Sequence, residues 1–267
     1  MTETAGTALI TGASSGIGAV YADRLARRGY DLILVARNGL RLQALASKLA
    51  AETGRKVRPV IADLSRDADL ARIEQVLKRD SDITLLVNNA GVGAAAPLLQ
   101  SDVDKMSEMV ALNVNSLMRL TYAAAPAFVA RGRGQIINIS SITAVGPEIL
   151  NGVYGGTKAF VLAFTQSLKS ELAGKGVTVQ AVLPGATATE FWDLAGQPVS
   201  HLPPEIVMST DDMVDAALAG LDQGELVTIP SLPDAGDWAA YEGARQQLMP
   251  NLSRAKPAER YRAAIAA

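Results

Sequence analysis

The sequence predicts an α/β fold in which helices cover both faces of a doubly wound parallel sheet of about seven strands. Three observations point there. Short Val/Ile/Leu runs alternate with longer amphipathic stretches through most of the 267 residues. The runs are mostly continuous rather than alternating, which is the pattern of strands buried on both faces. A glycine-rich turn follows directly on the first run. Repetition of strand and helix in this order implies right-handed crossovers within one parallel sheet.

Taken in order, strands are expected at residues 7–11, 31–36, 57–62, 83–88, 135–140, 177–183 and 226–229. Helices are expected between them, at 16–28, 39–53, 66–79, 103–131, 153–174 and 210–222. On the fourth helix Val103, Met106, Val110, Val114, Leu117 and Leu120 recur at three- and four-residue intervals and form one apolar stripe. Two stretches break the rhythm. Residues 191–208, with Pro198, Pro203 and Pro204, read as an irregular excursion after the sixth strand. The extension from about residue 230, with Asp234, Gly236 and Pro250, reads as helices joined by turns. No repeat, linker or low-complexity segment divides the chain, so a single domain is expected over residues 1–267.

Composition narrows the function. Hydrophobic residues make up 49% of the chain and charged residues 19%, enough for a sizeable core. A formal net charge of −2 argues against a general nucleic-acid binder, which needs a basic surface to neutralise phosphates. With no cysteine there is no disulfide, thiol nucleophile or cysteine-ligated metal, and the single histidine, His201, argues against a His-based metal site. No metal is therefore expected. No apolar run approaches the ~20 residues of a membrane span, and the acidic start Met1-Thr2-Glu3-Thr4 lacks a basic n-region. A cytoplasmic protein with no membrane association is expected.

The first strand runs into Thr11-Gly12-Ala13-Ser14-Ser15-Gly16-Ile17-Gly18. At a strand–helix junction, Gly12 permits a tight turn, Gly16 lets backbone approach a pyrophosphate, and Gly18 lets the helix pack close to the strand. Three glycines alone read equally well as a surface loop; their place at the junction favours a dinucleotide site. The second strand ends Val35-Ala36-Arg37-Asn38, without the acid that binds a ribose 2′-hydroxyl in NAD-selective sites. Arg37 can instead pair with a 2′-phosphate, so NADP(H) is the expected cofactor, against the plainer reading of a solvated arginine.

Tyr154-Gly155-Gly156-Thr157-Lys158 opens a helical stretch, and residues four apart share a face. A phenol titrates near ~10. Lowering it to about 7 takes ~4 kcal/mol of differential stabilisation, which the Lys158 ammonium and an oxidised nicotinamide could supply. The fifth strand ends Asn138-Ile139-Ser140-Ser141 at the carboxyl edge of the sheet, where open α/β folds bind ligands. Ser141 can donate there to a substrate oxygen as it gains charge. A lone Tyr–Lys pair or turn serine means little; the set means more.

The set resembles the short-chain dehydrogenase/reductase family, in its short single-domain branch. The resemblance covers residues 7–189 and extends more loosely to 230. It rests on Gly12/Gly16/Gly18, Asp63-Leu64, Asn88-Asn89-Ala90-Gly91, Asn113, Ser141, Tyr154-x-x-x-Lys158 and Pro184-Gly185, with thirteen residues from Ser141 to Tyr154. It implies a Rossmann-type NAD(P)-binding domain and a Tyr154 acid–base mechanism acting on a carbonyl or secondary alcohol. Asp63 would contact the adenine, and Asn89 would steady the sheet beside the cofactor. Asn113 would hold a water that continues a proton relay through Lys158, which also binds the ribose. Pro184, Gly185, Thr187 and Thr189 would line the nicotinamide end. A homo-oligomer, tetramer or dimer, would form through the helices carrying Asn113 and Tyr154. Gly155-Gly156 departs from the family's usual Ala or Ser, and glycine costs ~1 kcal/mol in a helix interior.

The substrate is not encoded in a motif. Residues 190–210 are expected to form the substrate loop, with Val145, Leu150, Val153 and Trp192 as walls, which suits a hydrophobic or aromatic carbonyl. His201, in that loop, reads as solvated. Two other readings use the same fold: an NADP-sensing regulatory protein, which has no need of the Asn113/Ser141/Tyr154/Lys158 set, and a sugar-nucleotide epimerase of the longer branch, for which the chain is short.

Overall fold

A computed structural model describes residues 5–261. Its seven strands form one parallel sheet: β1 (Thr7–Thr11), β2 (Asp31–Ala36), β3 (Val57–Ile61), β4 (Ile83–Asn88), β5 (Gly134–Ile139), β6 (Val177–Val182) and β7 (Val227–Thr228). The spatial order is β3-β2-β1-β4-β5-β6-β7. The order reverses between β1 and β4, which pair directly, so their diverging crossovers open a crevice at the carboxyl ends of these strands.

Helices α1 (Gly16–Arg27), α2 (Gly39–Thr53), α3 (Asp67–Arg79), α4 (Val103–Val110), α5 (Leu117–Arg131), α6 (Gly152–Glu171), α7 (Phe191–Leu194) and α8 (Thr210–Asp222) follow the strands. Period-two alternation along each strand sends neighbours to opposite faces. Ala8, Ile10, Leu32 and Leu34 pack with Tyr21, Leu25, Leu42, Leu49 and Leu218 of α1, α2 and α8. Leu9, Ile33, Val35 and Leu86 pack on the other side with Leu70, Ile73, Leu120, Phe128 and Leu168 of α3, α5 and α6. Both faces are dry, hence the unbroken apolar runs in the sequence.

The expectation of strands buried on both faces does not hold for β3. It is one of the sheet's two edge strands, none of its residues is buried, and Ile61 is 60% exposed. Pro59 is tolerated there because an edge strand leaves one row of backbone groups unpaired. The helix expected over 103–131 is also not uniform. A π-helical stretch, Ala111–Ser116, separates α4 from α5. Side chains act on the backbone here: Ser116 Oγ donates to the Leu112 carbonyl, and Asn113 reaches across to Val92. Wide turns of this kind are common where a helix serves a site.

The chain forms two compact units, Met1–Pro230 and Ser231–Ala267. The second contains α9 (Ala235–Leu248), capped by the Asp234 carboxylate, which accepts the Gly236 N–H at 2.7 Å. Within that helix Trp238 and Tyr241 stack at 5.1 Å. Among the described residues no helix is long and apolar enough to cross a membrane.

Candidate active site

The crevice is built from the segments that leave β1, β4, β5 and β6. After β1, Gly12 and Gly16 take positive φ of 65° and 53°, open to glycine at little cost. Gly18 is needed for its lack of a side chain: a Cβ there would run into the Gly12 carbonyl and the Asn89 carboxamide. Asn89 fixes this turn by donating Nδ2 to the carbonyls of Thr11 and Gly12 at 2.9 and 3.2 Å. Thr11 Oγ1 accepts the N–H groups of Asn89 and Ala90 at 2.9 and 3.0 Å, which locks β4's exit to β1's. Ser15 stands at the N-cap of α1 without a side-chain cap bond, and no acid lies in the first turn. The positive end of α1 therefore faces the crevice unopposed, with Ser14, Gly16 and Ile17 partly open around it.

Arg37 lies just past β2 and is exposed; among the described residues it forms no ion pair or hydrogen bond, and no acid takes the adjoining position. Asn38 is spent on accepting the Arg41 N–H at 3.1 Å, and Arg41 pairs with Glu190 at 2.6 Å. Asp63, after β3, is half-buried. Burial works against its charge, but the Ser65 hydroxyl and N–H, with Arg37 and Arg66 nearby, hold the carboxyl below its usual range. The Leu64 side chain belongs to the core. A cradle closed to any Cβ, an unopposed helix N-terminus and an unpaired guanidinium beyond β2 together fit a phosphorylated dinucleotide.

On the other side of the crevice, Tyr154 and Lys158 lie one turn apart on α6, each 6% exposed. Lys158 Nζ is 5.7 Å from the centre of the Tyr154 ring and donates to the Ile139 carbonyl at 3.0 Å. Burial is the dominant force on both groups. It pushes the Tyr154 phenol up to about 12, against a hydrogen bond with Ser141, and pulls Lys158 down to about 8. Without the cofactor's charge, burial sets the phenol's proton affinity and the Ser141 hydrogen bond is what opposes it. Ser141 Oγ accepts the Thr143 N–H at 3.1 Å, which leaves its own O–H to donate.

Asn113, in the π-helical stretch, clamps one peptide unit on each side of Val92. Its Oδ1 accepts the Val92 N–H at 3.0 Å; its Nδ2 donates to the Val92 carbonyl at 2.8 Å and to Thr157 Oγ1 at 3.1 Å. Asn113 Oδ1 and Lys158 Nζ lie 3.2 and 3.6 Å from where a Gly91 side chain would begin, so Ala90-Gly91 passes between α1's turn and these polar groups. Beyond β6, Pro184 accepts the Ile142 N–H at 3.0 Å, and Gly185 leads into Thr187. Thr189 overhangs Gly16, its Cγ2 3.2 Å from where a side chain there would start. Paired backbone bonds between 186–188 and Met208 close the base of the 189–207 excursion.

Of the expected walls, Trp192 is buried, with Nε1 donating to the Thr187 carbonyl at 2.9 Å, Leu150 and Val153 are half-buried, and Val145 is exposed. His201 is exposed. Gly155 has a packing reason: a Cβ there would sit 3.1 Å from Pro147, which rests on α6.

Three residues of the site carried no motif. Asn151 is buried before α6; it accepts the Val153 N–H at 2.8 Å and donates to Ala96 O at 2.6 Å and Ser101 Oγ at 2.9 Å. Its N-cap role follows a known residue preference and was legible as such; its grip on the loop after β4 was not. Gly93 and Phe191 meet only in space, the Phe191 ring lying against Gly93 and against Tyr154.

A family model described as short chain dehydrogenase matches residues 6–198. The chain belongs to the short-chain dehydrogenase family. This short-chain dehydrogenase is 38% identical over 188 residues to serine 3-dehydrogenase of Agrobacterium fabrum, which covers 70% of the chain and 74% of that protein. Its structure is similar to a Sphingobium yanoikuyae short-chain dehydrogenase in complex with NADPH, with 50% identity, a TM-score of 0.93 and coverage of 96% and 99% of the two chains. It also resembles the bulky-bulky ketone specific alcohol dehydrogenase of Comamonas testosteroni, with 45% identity, a TM-score of 0.89 and coverage of 97% and 99%. The chain is thus an oxidoreductase of this family with a Rossmann-type sheet.

Proposed function

We propose that this short-chain dehydrogenase moves hydride between NADP(H) and a carbonyl or secondary alcohol, with Tyr154 as the acid–base group. The observation that carries this is the convergence of a buried phenol, a serine hydroxyl beside it and a buried ammonium at the carboxyl edge of the sheet. Gly12, Ser14, Ser15, Gly16, Ile17 and Gly18 would hold the pyrophosphate, Arg37 the 2′-phosphate, and Asp63 with the Leu64 backbone the adenine. Asn89, Ala90 and Gly91 would flank the ribose that Tyr154 and Lys158 also address, and Pro184, Gly185, Thr187 and Thr189 the nicotinamide. NADPH, when bound, supplies the hydride.

The chain's own residues manage the proton. Tyr154 keeps its proton across the neutral range and donates it to the substrate oxygen as that oxygen gains charge. Ser141, its oxygen already engaged by Thr143, offers its O–H to the same atom. Lys158 stabilises the phenolate that proton donation leaves behind, and Asn113 holds the loop around Gly91 in place. Oxidation runs the same steps in reverse. The unpaired Arg37 supports NADP(H) over NAD(H), and so does the NADPH complex of the Sphingobium relative. The apolar walls and the Comamonas relative's described specificity support a ketone flanked by large apolar groups. Exposed Val103, Val110 and Tyr122, on the α4 and α5 segments that flank Asn113, support a homo-oligomer, tetramer or dimer, built through the helices carrying Asn113 and Tyr154.

The test is NADPH oxidation with a panel of ketones and aldehydes, for the natural chain and Tyr154→Phe. The variant is expected to lose turnover by ~10³ while NADPH binding, followed by fluorescence, survives. A variant that turns over within tenfold of the natural chain removes Tyr154 from the role.

A further inference from the structure

Phe191, the first residue of α7, occupies a place that the rest of the crevice makes for it. Its ring fills the space where Gly93 lacks a side chain; a Cβ on Gly93 would lie inside the ring's contact distance, with Phe191 Cε2 2.7 Å away and Cζ closer still. The same ring is 5.6 Å from the Tyr154 ring, tilted at 49°, and 5.6 Å from Trp192, edge-on at 89°. Trp192 is itself anchored by its bond to the Thr187 carbonyl, and the backbone tie from Ala95 N to the Ala195 carbonyl at 3.1 Å holds the excursion to the segment after Gly93. Phe191 is half-buried, so part of the ring remains open.

We propose that Phe191, seated on Gly93, is a specificity-determining residue that packs against a flat apolar group flanking the substrate carbonyl. The inference rests on the oxidoreductase reading above and adds to it which part of the substrate is selected and by what. A carbonyl oxygen within hydrogen-bond reach of Tyr154 and Ser141 brings its flanking groups to the ring that lines Tyr154. Aromatic and apolar groups gain there from ring packing as well as from removal from water. A small aliphatic group leaves the open part of the ring uncovered and gains little. Gly93 is part of the device because any side chain at that position displaces the ring from Tyr154.

The experiment compares kcat/KM with NADPH for propiophenone and for acetone. In Phe191→Ala the propiophenone-to-acetone ratio is expected to fall about tenfold or more. Phe191→Leu, which keeps apolar volume and a folded loop but no flat face, is expected to fall less. Gly93→Ala is expected to lower the ratio in the natural background and to change it no further in the Phe191→Ala background, since the ring it displaces is gone. If the ratio is unchanged in Phe191→Ala and Phe191→Leu while both ketones are still reduced, the wall is overturned and the enzymatic reading stands. If the two substitutions lower the ratio independently, the seating on Gly93 is overturned. If the natural chain reduces neither these ketones nor any other in the panel, the enzymatic reading falls and takes the wall with it.

Discussion

Lys158 donates its ammonium to the carbonyl of Ile139 at 3.0 Å, which ties the first turns of α6 to the carboxyl end of β5. The bond gives a buried cation a neutral acceptor and no carboxylate. Burial therefore dominates and sets the cation's proton affinity well below that of an exposed lysine.

That balance fixes the sign of a pH dependence. Below about 8 Lys158 is charged, and Tyr154, pushed up to about 12, is protonated. Raising the pH through about 8 removes the cation while the proton donor stays intact. Ketone reduction is expected to lose kcat/KM on the alkaline side of that value, with the limb belonging to Lys158 and not to Tyr154. A pH–rate profile at fixed NADPH checks it. A profile that stays flat to about pH 10, the range of an ordinary lysine or phenol, contradicts the assignment.

Arg37 offers a second measurement. The guanidinium is exposed and without an ion pair among the described residues, so its loss leaves no buried charge behind. Arg37→Ala is expected to weaken kcat/KM with NADPH about ten- to a hundredfold, the size of a charge-assisted hydrogen bond, and to leave the value with NADH nearly unchanged. Parallel losses with both cofactors would mean that the side chain serves the fold and not the 2′-phosphate.

Asn151 should act as a positioning residue. Its carboxamide joins the start of α6 to the loop after β4 through Val153, Ala96 and Ser101. Asn151→Ala is expected to cost about 2 kcal/mol of stability from the lost buried bonds and to lower kcat, because the turn carrying Tyr154 loses its side-chain tie to the loop and keeps only the backbone bond to Ala94. NADPH affinity is expected to hold. Asn151→Asp keeps the acceptor for Val153 and loses both donors, so it should share the kcat defect. Urea unfolding with steady-state kinetics checks both halves; an unchanged kcat at lowered stability leaves Asn151 a purely structural cap.

Much of the fold could be read from local chemistry. The strand positions from 7–11 to 226–229 follow from runs that suit dry sheet faces, and observed ends differ by a residue at most. The departures come from contacts between distant segments. Val57 to Ile61 looks like the other strands, yet β3 is an edge strand with no buried residue, a matter of what covers it in space. The π-helical stretch carries no local signal either; Asn113 within it bonds to Val92, a partner on another segment.

The sequence by itself determined the family, the sheet, the glycine turn and the spacing that puts Tyr154 and Lys158 on one face of a helix, since each depends on residues near one another in the chain. Tertiary structure decided the proton affinities of those two side chains and the wall formed by Phe191 on Gly93. Desolvation and ring packing depend on what surrounds a group in space, and segments distant in sequence supply those surroundings.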